Sequence, residues 1–514
     1  MDFVSVELTS NGSLDGTKLL VSGTAGPNDR AGIWVLSVVG GMLRKLRDDA
    51  YVAVPSPDGS SIAFLTRGEI WLMGTNAEDA HRLWAAEKGY GFGRVVWSPD
   101  GRRLAYFKVN RDEVTIESRD LKGGQTTVIV SDPRLKDFCW APDGRIIFSR
   151  LENPREATAN IWEIRTDPST AHASGEPRRL TEWAGFTMFD LSASADGKRV
   201  AFVRKSDQSD VYLGQLEANG SRMSSPLRLT LDDRMDWPGG WLRDSKAVLF
   251  FSDRNGTFDI FKQRIKDRRA EEVIAGPAEE KRNPQLSPDS NWILYLAWLK
   301  GGSGLLPHSG RLMRVPVSGG PPEFVFDVKG YPGSAQVPRE RWLPTARGYP
   351  DFRCPIARGA PCILSETSPE RIVFSAFDPL EGKKTEVTRL DANAGDTFWD
   401  LSPDSSRIAF GKFDDHNGKI RVVDLADGTT HEVLVKGWTH LDSVGWAADG
   451  KSLFVTNWAS EGGAVLRVAL SGEAQLLRRE VGMEVERPVP SPDGHYLAYG
   501  EVTTAGNAWM IENF

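Results

Sequence analysis

One stretch of the chain matches, letter for letter, the pattern of a phosphate-binding loop. Residues 445–452 read Gly-Trp-Ala-Ala-Asp-Gly-Lys-Ser. Such a loop binds phosphate only when a strand precedes it and a helix follows, because the N–H groups of the helix start contact the phosphate. Here the next residues, Leu453-Phe454-Val455, are typical of a strand. We therefore interpret the stretch as a hairpin turn and predict no nucleotide or other cofactor.

Two further catalytic patterns are absent from the sequence. No Gly-x-Ser-x-Gly elbow occurs, which disfavours a serine hydrolase of the α/β type. No His-Glu-x-x-His pair occurs either, because Val435 stands where the second histidine after His431-Glu432 would be. The seven histidines are scattered without the spacing of metal ligands, at positions 81, 172, 308, 416, 431, 440 and 495. We predict no catalytic residue, no metal ligand and no enzymatic activity, and no ligand-binding residue can be named.

Charged stretches also favour turns over binding sites. The acidic segments 414–418 and 253–256 lack the alternating ligands of a calcium loop, and their Asn-Gly pairs are typical of hairpin turns. The basic run at 266–269 is interrupted by Asp267. The formal net charge is −7, whereas nucleic-acid surfaces are usually basic. We expect a protein partner or a small ligand, and no nucleic acid.

The elements that would position any site come from one repeated phrase. Ser-Pro-Asp-Gly occurs at 56–59, 98–101 and 491–494, each time before a short apolar run such as Ser61-Ile62-Ala63-Phe64-Leu65. Proline presets φ, aspartate bonds its own backbone, and glycine accepts a positive φ, so the phrase predicts a type I turn. The apolar run predicts a buried strand, so each copy is a hairpin. In several repeats the strand before this turn, called here the first strand of its blade, ends in tryptophan, which we interpret mainly as packing between repeats.

The spacing of the repeat predicts the fold class. The turn aspartates lie at 15, 58, 100, 143, 196, 244, 289, 404, 449 and 493, and most spacings are 42 to 48 residues. The long gap after 289 contains one more unit, whose strands are 362–366, 371–377 and 386–390 and whose turn is Ser368-Pro369-Glu370. A period in the low forties with one hairpin turn predicts four-stranded antiparallel blades. The chain is therefore expected to be an all-β protein of about eleven blades.

Eleven blades exceed the four to eight of one propeller. We predict two propellers, residues 1–230 with about five blades and 231–514 with about six; boundaries near 275 or 330 remain alternatives. The last unit shows only three strands, so an earlier strand must complete it, either 3–8 or 227–230. A proline- and glycine-rich segment, 328–351, is a long loop insertion. It is expected to be a solvated insertion or a functional loop.

Three cysteines are too few for a disulfide framework. Cys139 is expected to be a small buried side chain. Cys354 and Cys362 could face each other across a hairpin, and both a disulfide and reduced packing remain open, with reduced packing favoured. The start Met1-Asp2-Phe3-Val4-Ser5 has no basic or long apolar region of a signal peptide, and the longest apolar run, 292–299, is shorter than the about 20 residues of a membrane helix.

The repeated turn, apolar strand and Arg-Leu-Thr strand resemble TolB-type β-propeller repeats over nearly the whole chain. The C-terminal third resembles a narrower group, the propeller half of bacterial Ser/Thr kinase or winged-helix regulator chains. The residues that carry this likeness are Phe352-Arg353-Cys354 with Cys362, Phe377-Asp378-Pro379, Trp399–Asp404, Lys436-Gly437-Trp438, Trp446–Lys451 and Trp509–Phe514. The resemblance implies a sensor or interaction module and transfers no catalytic residue.

The expected function is therefore a non-enzymatic ligand- or protein-binding propeller in bacterial signalling. One alternative is a propeller-funnel enzyme, a lyase or glycosidase with paired carboxylates. Another is the propeller half of a peptidase without its hydrolase domain. We expect a cytoplasmic protein without a membrane span, or a periplasmic or extracytoplasmic one if the chain is the detached part of a longer protein.

Overall fold

The computed structural model describes residues 5–7, 17–24, 32–110, 113–152, 158–167, 169–217, 220–299, 309–329, 350–368, 371–391, 397–413, 417–459 and 462–514. Every named element in these ranges is a β-strand. Among the same residues, no helix has the length and apolarity needed to cross a membrane. The chain divides into two compact units, one formed mainly by Met1–Ser206 with Ala505–Phe514 and the other mainly by Asp207–Gly302 and Leu306–Thr504.

The first unit contains five blades within its described residues. In the first four, four antiparallel strands pair in chain order. The fifth combines one strand with parts of two long strands. The strands are β1 (Ser5–Glu7), β2 (Lys18–Thr24), β3 (Gly32–Ser37), β4 (Leu43–Asp48); β5 (Tyr51–Pro55), β6 (Ser61–Thr66), β7 (Glu69–Gly74), β8 (His81–Ala85); β9 (Gly91–Trp97), β10 (Arg103–Val109), β11 (Val114–Asp120), β12 (Thr127–Ser131); β13 (Leu135–Trp140), β14 (Arg145–Leu151), β15 (Ala159–Thr166), β16 (Ala173–Arg179); and β17 (Thr187–Ala193) with the start of β18 (Arg199–Glu217) and the end of β42 (Tyr496–Glu512).

The second unit contains six blades, again counted over the part that the structure describes. Five of them are four-stranded and pair in chain order. The strands are β19 (Arg222–Met223) and β20 (Leu227–Arg228), which both pair with β18; β21 (Asp236–Trp241), β22 (Ala247–Ser252), β23 (Asp259–Arg264), β24 (Glu271–Ile274); β25 (Glu279–Leu286), β26 (Trp292–Leu299), β27 (Ser309–Pro316), β28 (Glu323–Lys329); β29 (Asp351–Arg353), β30 (Cys362–Thr367), β31 (Arg371–Phe377), β32 (Lys384–Asp391); β33 (Thr397–Leu401), β34 (Arg407–Lys412), β35 (Lys419–Asp424), β36 (Thr430–Leu434); β37 (Leu441–Trp446), β38 (Ser452–Ala459), β39 (Gly462–Ala469), β40 (Ala474–Glu480); and β41 (Glu484–Pro490).

The last blade of the second unit is closed by strands from the two ends of that unit. β41 pairs with the start of β42, β42 pairs with the end of β18, and β18 pairs with β20. The amide of Leu216 donates to the carbonyl of His495 within this blade. The C-terminal strands in this blade are two, β41 and the start of β42, so the expectation of three was wrong. The second alternative for a completing strand, 227–230, contributes Leu227–Arg228, whereas Ser5–Glu7 pairs with β2. The main segment of the first compact unit ends at Ser206, whereas the sequence placed the boundary between the two propellers at 230/231.

The repeated turn has the predicted geometry. The Gly59 amide donates to the Ser56 carbonyl at 2.9 Å, and Gly59 has a φ of 71°. The Ser56 hydroxyl donates to Asp58 Oδ1 at 2.6 Å. That hydrogen bond is the largest cause of the lowered pKa of Asp58, about 2. The turn thus ties the end of each first strand to the start of the second.

Burial follows the position of a strand in its blade. Every residue of β22 is buried, including Phe250 and Phe251, and burying one such side chain contributes about 1.5–3 kcal/mol. Fourth strands such as β16 and β36 are mainly exposed. The core therefore lies between blades, and the all-β propeller prediction with about eleven blades is confirmed.

Several smaller predictions can be compared with the structure. The phosphate-loop match at 445–452 joins β37 to β38 and is a hairpin turn, as predicted. Cys139 is buried. Cys354 and Cys362 form a disulfide, so the favoured reduced state was wrong. The predicted loop insertion at 328–351 falls largely on residues 330–349, which lie outside the described residues.

Candidate functional site

A cavity of about 190 Å³ lies within the second unit, where the first strands of its six blades converge. β21, β25, β29, β33, β37 and β41 all contribute to its lining. The ring of first strands is closed by a hydrogen bond of 2.9 Å from the Trp241 indole Nε1 to the Val489 carbonyl. A cavity of this size holds several water molecules or a small organic group. It is the candidate ligand site of the protein.

Two of the first strands present a polar side chain at a β-bulge. In β25 the register shifts between Arg282 and Gln285, and in β41 it shifts between Glu486 and Val489. Asn283 and Arg487, the bulged residues, have φ values of 53° and 52°. Such a left-handed conformation is unfavourable for a residue with a Cβ, and bulges commonly redirect a side chain near a functional site. Both side chains meet beside the cavity, since Arg487 Nη2 donates to Asn283 Oδ1 at 2.7 Å.

A chain of hydrogen bonds continues from this pair across the neighbouring blades. Asn283 Nδ2 donates to Asp351 Oδ1 at 2.6 Å, and Arg353 Nη1 donates to Asp351 Oδ2 at 2.6 Å. Arg353 Nε then donates to Asp400 Oδ1 at 3.1 Å. The other oxygen of Asp400 accepts the Trp446 amide at 2.7 Å. Residues from five of the six blades are thus held in one polar network.

Charge and burial shape the pKa values in this network. Burial raises the pKa of Asp400 to about 6, against the lowering effects of Arg353 and the Trp446 amide. Burial would lower the pKa of Arg353, but Asp351 and Asp400 raise it above its usual value. Arg353 therefore stays a cation between two carboxylates, and the pKa of Asp400 lies near 6.

Arg487 lies in a different electrostatic environment. Burial lowers its pKa to about 10; Asp351 acts in the opposite direction, and Arg353 lowers it further. Its Nη1 is buried and has no hydrogen-bond acceptor among the described residues. The indole Nε1 of Trp446, another lining residue, is also buried without an acceptor in the same set. The cavity therefore has two buried donors that the protein itself leaves unused.

One wall of the cavity is a short loop closed by the disulfide between Cys354 and Cys362. Pro355 and Ile356 of this loop line the cavity. Among the hydrogen bonds that hold this loop, the Cys354 amide donates to Gln285 Oε1 at 2.7 Å, and Arg243 donates to the Ile356 carbonyl. Apolar side chains complete the surface, namely Leu286, Phe398, Trp399, Leu401, Phe413, Val444 and Val489.

The first unit has its own buried charge cluster at an equivalent bulge. Arg94 in β9 has a φ of 31° and pairs with Asp137 Oδ1 at 3.0 Å. It also lies 3.8 Å from Asp190 Oδ1 and donates to the Leu191 carbonyl at 3.0 Å. Burial raises the pKa of both carboxyl groups, and Arg94 opposes that rise. This cluster is internally compensated, which is typical of a structural core.

The sequence did not name the cavity residues, although several belong to its resemblance motifs. Arg353, Cys354, Trp399, Asp400 and Trp446 all stood in those motifs and all line the cavity. Asn283 and Arg487 were missed. A signal was present: each lies six residues before the aspartate of the turn in its blade, as do Val52, Arg94 and Asp190, and all five have a positive φ.

Other stretches considered in the sequence lie elsewhere. Asp253 accepts the Met235 amide, and Arg254 pairs with Asp236 at 3.1 Å, so segment 253–256 is used in turn and ion-pair contacts. Segment 414–418 lies partly outside the described residues. No histidine is among the residues that line the cavity in the described structure. Over the same residues, no cluster of three metal-binding side chains was found.

Comparisons with known proteins identify the fold only. No family model matches the chain, and no curated protein matches it. Among solved structures, it resembles the β-propeller domain of the Trilobed protease from Pyrococcus furiosus, at 15% identity over 63% of this chain and 99% of that one, with a TM-score of 0.28. It also resembles an oligogalacturonate lyase from Vibrio parahaemolyticus (11%, 75% and 89%, TM-score 0.27) and TolB from Acinetobacter baumannii (14%, 74% and 81%, TM-score 0.22). At these values the matches carry no argument about function.

Proposed function

We propose that the protein is a non-enzymatic β-propeller that binds a small ligand or a segment of a protein partner in the cavity of its second unit. In this proposal it serves as a sensor or interaction module in bacterial signalling. The observation that carries it is the polar network around the cavity. Asp351 and Asp400 are both engaged by Arg353, so these carboxylates form a rigid frame rather than a free base or nucleophile.

The signalling part of the proposal rests on the motifs of the C-terminal third. Phe352-Arg353-Cys354 and the Trp399–Asp404 segment resemble the propeller half of bacterial kinase or winged-helix regulator chains. Residues from both motifs line the cavity. In a sensor of this kind, occupancy of the cavity would be the signal.

A cavity-filling variant tests the binding function. Thr397 lines the cavity at the start of β33, so Thr397→Trp should occupy the space. Thr385→Trp, on the exposed outer strand β32, is the matched control. We expect a thermal-shift screen of small acids, amines, sugars and short peptides to yield ligands that stabilise the wild type and the control but not Thr397→Trp. A screen in which no compound discriminates the two variants would contradict the proposal.

A funnel enzyme is the second candidate, because the pKa of Asp400 is raised to about 6, a value suited to proton transfer. The same ligands distinguish the two functions. Mass spectrometry of each ligand after long incubation with the protein should recover it unchanged. A chemical change that Asp400→Asn abolishes would favour the enzyme.

A further inference from the structure

Resting on the proposed binding function, we propose that the cavity takes a carboxylate group, carried by a small organic acid or by the C-terminus of a peptide, and that Arg487 is its anchor. Its guanidinium has two neutral partners, the Asn283 amide oxygen and the Phe251 ring, and apolar side chains line the cavity beside it.

The charge of Arg487 is not matched by its own protein. Its Nη2 donates to the neutral amide oxygen of Asn283, and no carboxylate of the described residues lies within ion-pair distance. Its Nη1 is buried and lacks an acceptor there. A buried cation without a partner is costly, and a buried N–H without an acceptor costs about 1–3 kcal/mol. An anion in the cavity would satisfy both.

Arg94 of the first unit shows what a compensated arginine looks like at the same position. Both arginines lie at a bulge of a first strand, six residues before the turn aspartate, with a positive φ. Arg94 has Asp137 at 3.0 Å. Among the described residues, no carboxylate contacts Arg487 as Asp137 contacts Arg94. The backbone position therefore does not require an unpaired charge, and Arg487 is the exception.

Trp446 supplies a second donor with the same property. Trp97 and Trp241, which also end first strands, donate their indole Nε1 to the carbonyls of Val54 and Val489 at 3.1 and 2.9 Å. The Trp446 Nε1 is equally buried but has no acceptor among the residues described. A carboxylate carries two acceptor oxygens and a negative charge, so it suits a cavity that offers a cation and unused N–H donors better than a neutral ligand does.

The surroundings favour a monoanion over phosphate. Three arginines (Arg243, Arg353 and Arg487) and three aspartates (Asp351, Asp400 and Asp442) line the cavity, so its side chains hold no surplus charge that would neutralise a doubly charged ligand. A second negative charge would face those carboxylates at short range. The planar guanidinium matches a carboxylate, and the walls formed by Phe398, Trp399 and Val444 suit an apolar substituent.

Calorimetric titration of the full chain tests the proposal with N-acetyl-leucine, its uncharged amide, inorganic phosphate, and a short leucine-ending peptide as free acid and as amide. We expect each acid to bind at least tenfold more tightly than its amide and than phosphate. Arg487→Gln should weaken acid binding tenfold or more and remove the preference for acids. Arg487→Lys keeps the positive charge but loses the paired N–H donors of the guanidinium, so it should retain a reduced preference for acids over amides. The control Arg102→Gln removes an exposed arginine and should change nothing.

The outcomes separate the ligand source and the two proposals. Tighter binding of the peptide acid than of N-acetyl-leucine would identify a peptide C-terminus, and the reverse a small acid; both support the carboxylate site. Equal binding of acid and amide, or acid binding unchanged in both Arg487 variants, would overturn it. If the acids fail while a neutral or cationic ligand binds the wild type and not Thr397→Trp, the binding function stands and the carboxylate inference falls.

Discussion

Removing Arg353 should expose the energetic role of the polar network. Arg353 makes two charge-assisted hydrogen bonds, to Asp351 at 2.6 Å and to Asp400 at 3.1 Å, and only 19% of its side chain is exposed. Each such bond contributes about 1.5–3 kcal/mol. Their sum agrees with the about 3–5 kcal/mol lost when one partner of a buried pair is removed. We expect Arg353→Met to lower the free energy of unfolding of the second unit by about 3–5 kcal/mol near neutral pH.

The loss should depend on pH, with a sign that follows from burial. Burial already raises the pKa of Asp400 to about 6, and removing its cation raises that pKa further. A carboxyl whose folded pKa lies above its unfolded value destabilises the fold while it is ionised. The destabilisation is therefore full above the folded pKa and disappears below the unfolded pKa, 3.8. Arg353→Met should thus lose much less stability at about pH 4 than at about pH 8.

Urea unfolding followed by tryptophan fluorescence at the two pH values measures this difference. The exposed Arg102→Met is the control for loss of an arginine. Adding Asp400→Asn to Arg353→Met should restore part of the stability lost at high pH, because one buried negative charge disappears. A loss below about 1 kcal/mol at high pH, or the same loss at both values, would refute the view that Arg353 compensates buried carboxylates.

The other predictions concern the frame of the cavity. Trp241→Phe removes the hydrogen bond to the Val489 carbonyl, whereas the Trp446 indole lacks an acceptor within the described structure, so Trp241→Phe should lower the free energy of unfolding by about 1 kcal/mol more than Trp446→Phe. Both side chains are buried, and urea unfolding midpoints of the two variants measure the difference. A larger loss for Trp446→Phe would contradict the stabilising role of the Trp241 hydrogen bond. Reduction of the Cys354–Cys362 bond, or Cys354→Ser with Cys362→Ser, should lower stability by about 2–3 kcal/mol for a loop of this length and weaken ligand binding, because Pro355 and Ile356 form one wall. Unchanged stability and affinity after reduction would show that the loop keeps its shape without the disulfide.

The fold was predictable because its signals are local. Ser-Pro-Asp-Gly places serine, aspartate and glycine within one turn, and the turn repeats once per blade, so the period alone identifies the architecture. The site was not predictable in the same way. Arg487 and Asn283 are 204 residues apart in the chain and contact only because the blades form a ring. Likewise, Trp241 in β21 and Val489 in β41 are far apart in the chain and are joined by a hydrogen bond. The disulfide could not be decided from spacing, because eight residues fit a bridged and an unbridged hairpin equally well.

The turn and the site are nevertheless connected, and the connection gives a rule for this repeat. The turn aspartate fixes where the first strand ends, and the bulge recurs six residues before it, at Val52, Arg94, Asp190, Asn283 and Arg487. A bulge adds one residue to a strand and redirects its side chain. These five blades thus share the same backbone feature, while the residue type at that position differs between them. In β5 that residue is apolar, in β9 it is a paired cation, and in β41 it is a cation without a carboxylate among the described residues. In these five blades, one position that the turn locates thus decides whether the bulge presents an apolar, a polar or a charged side chain.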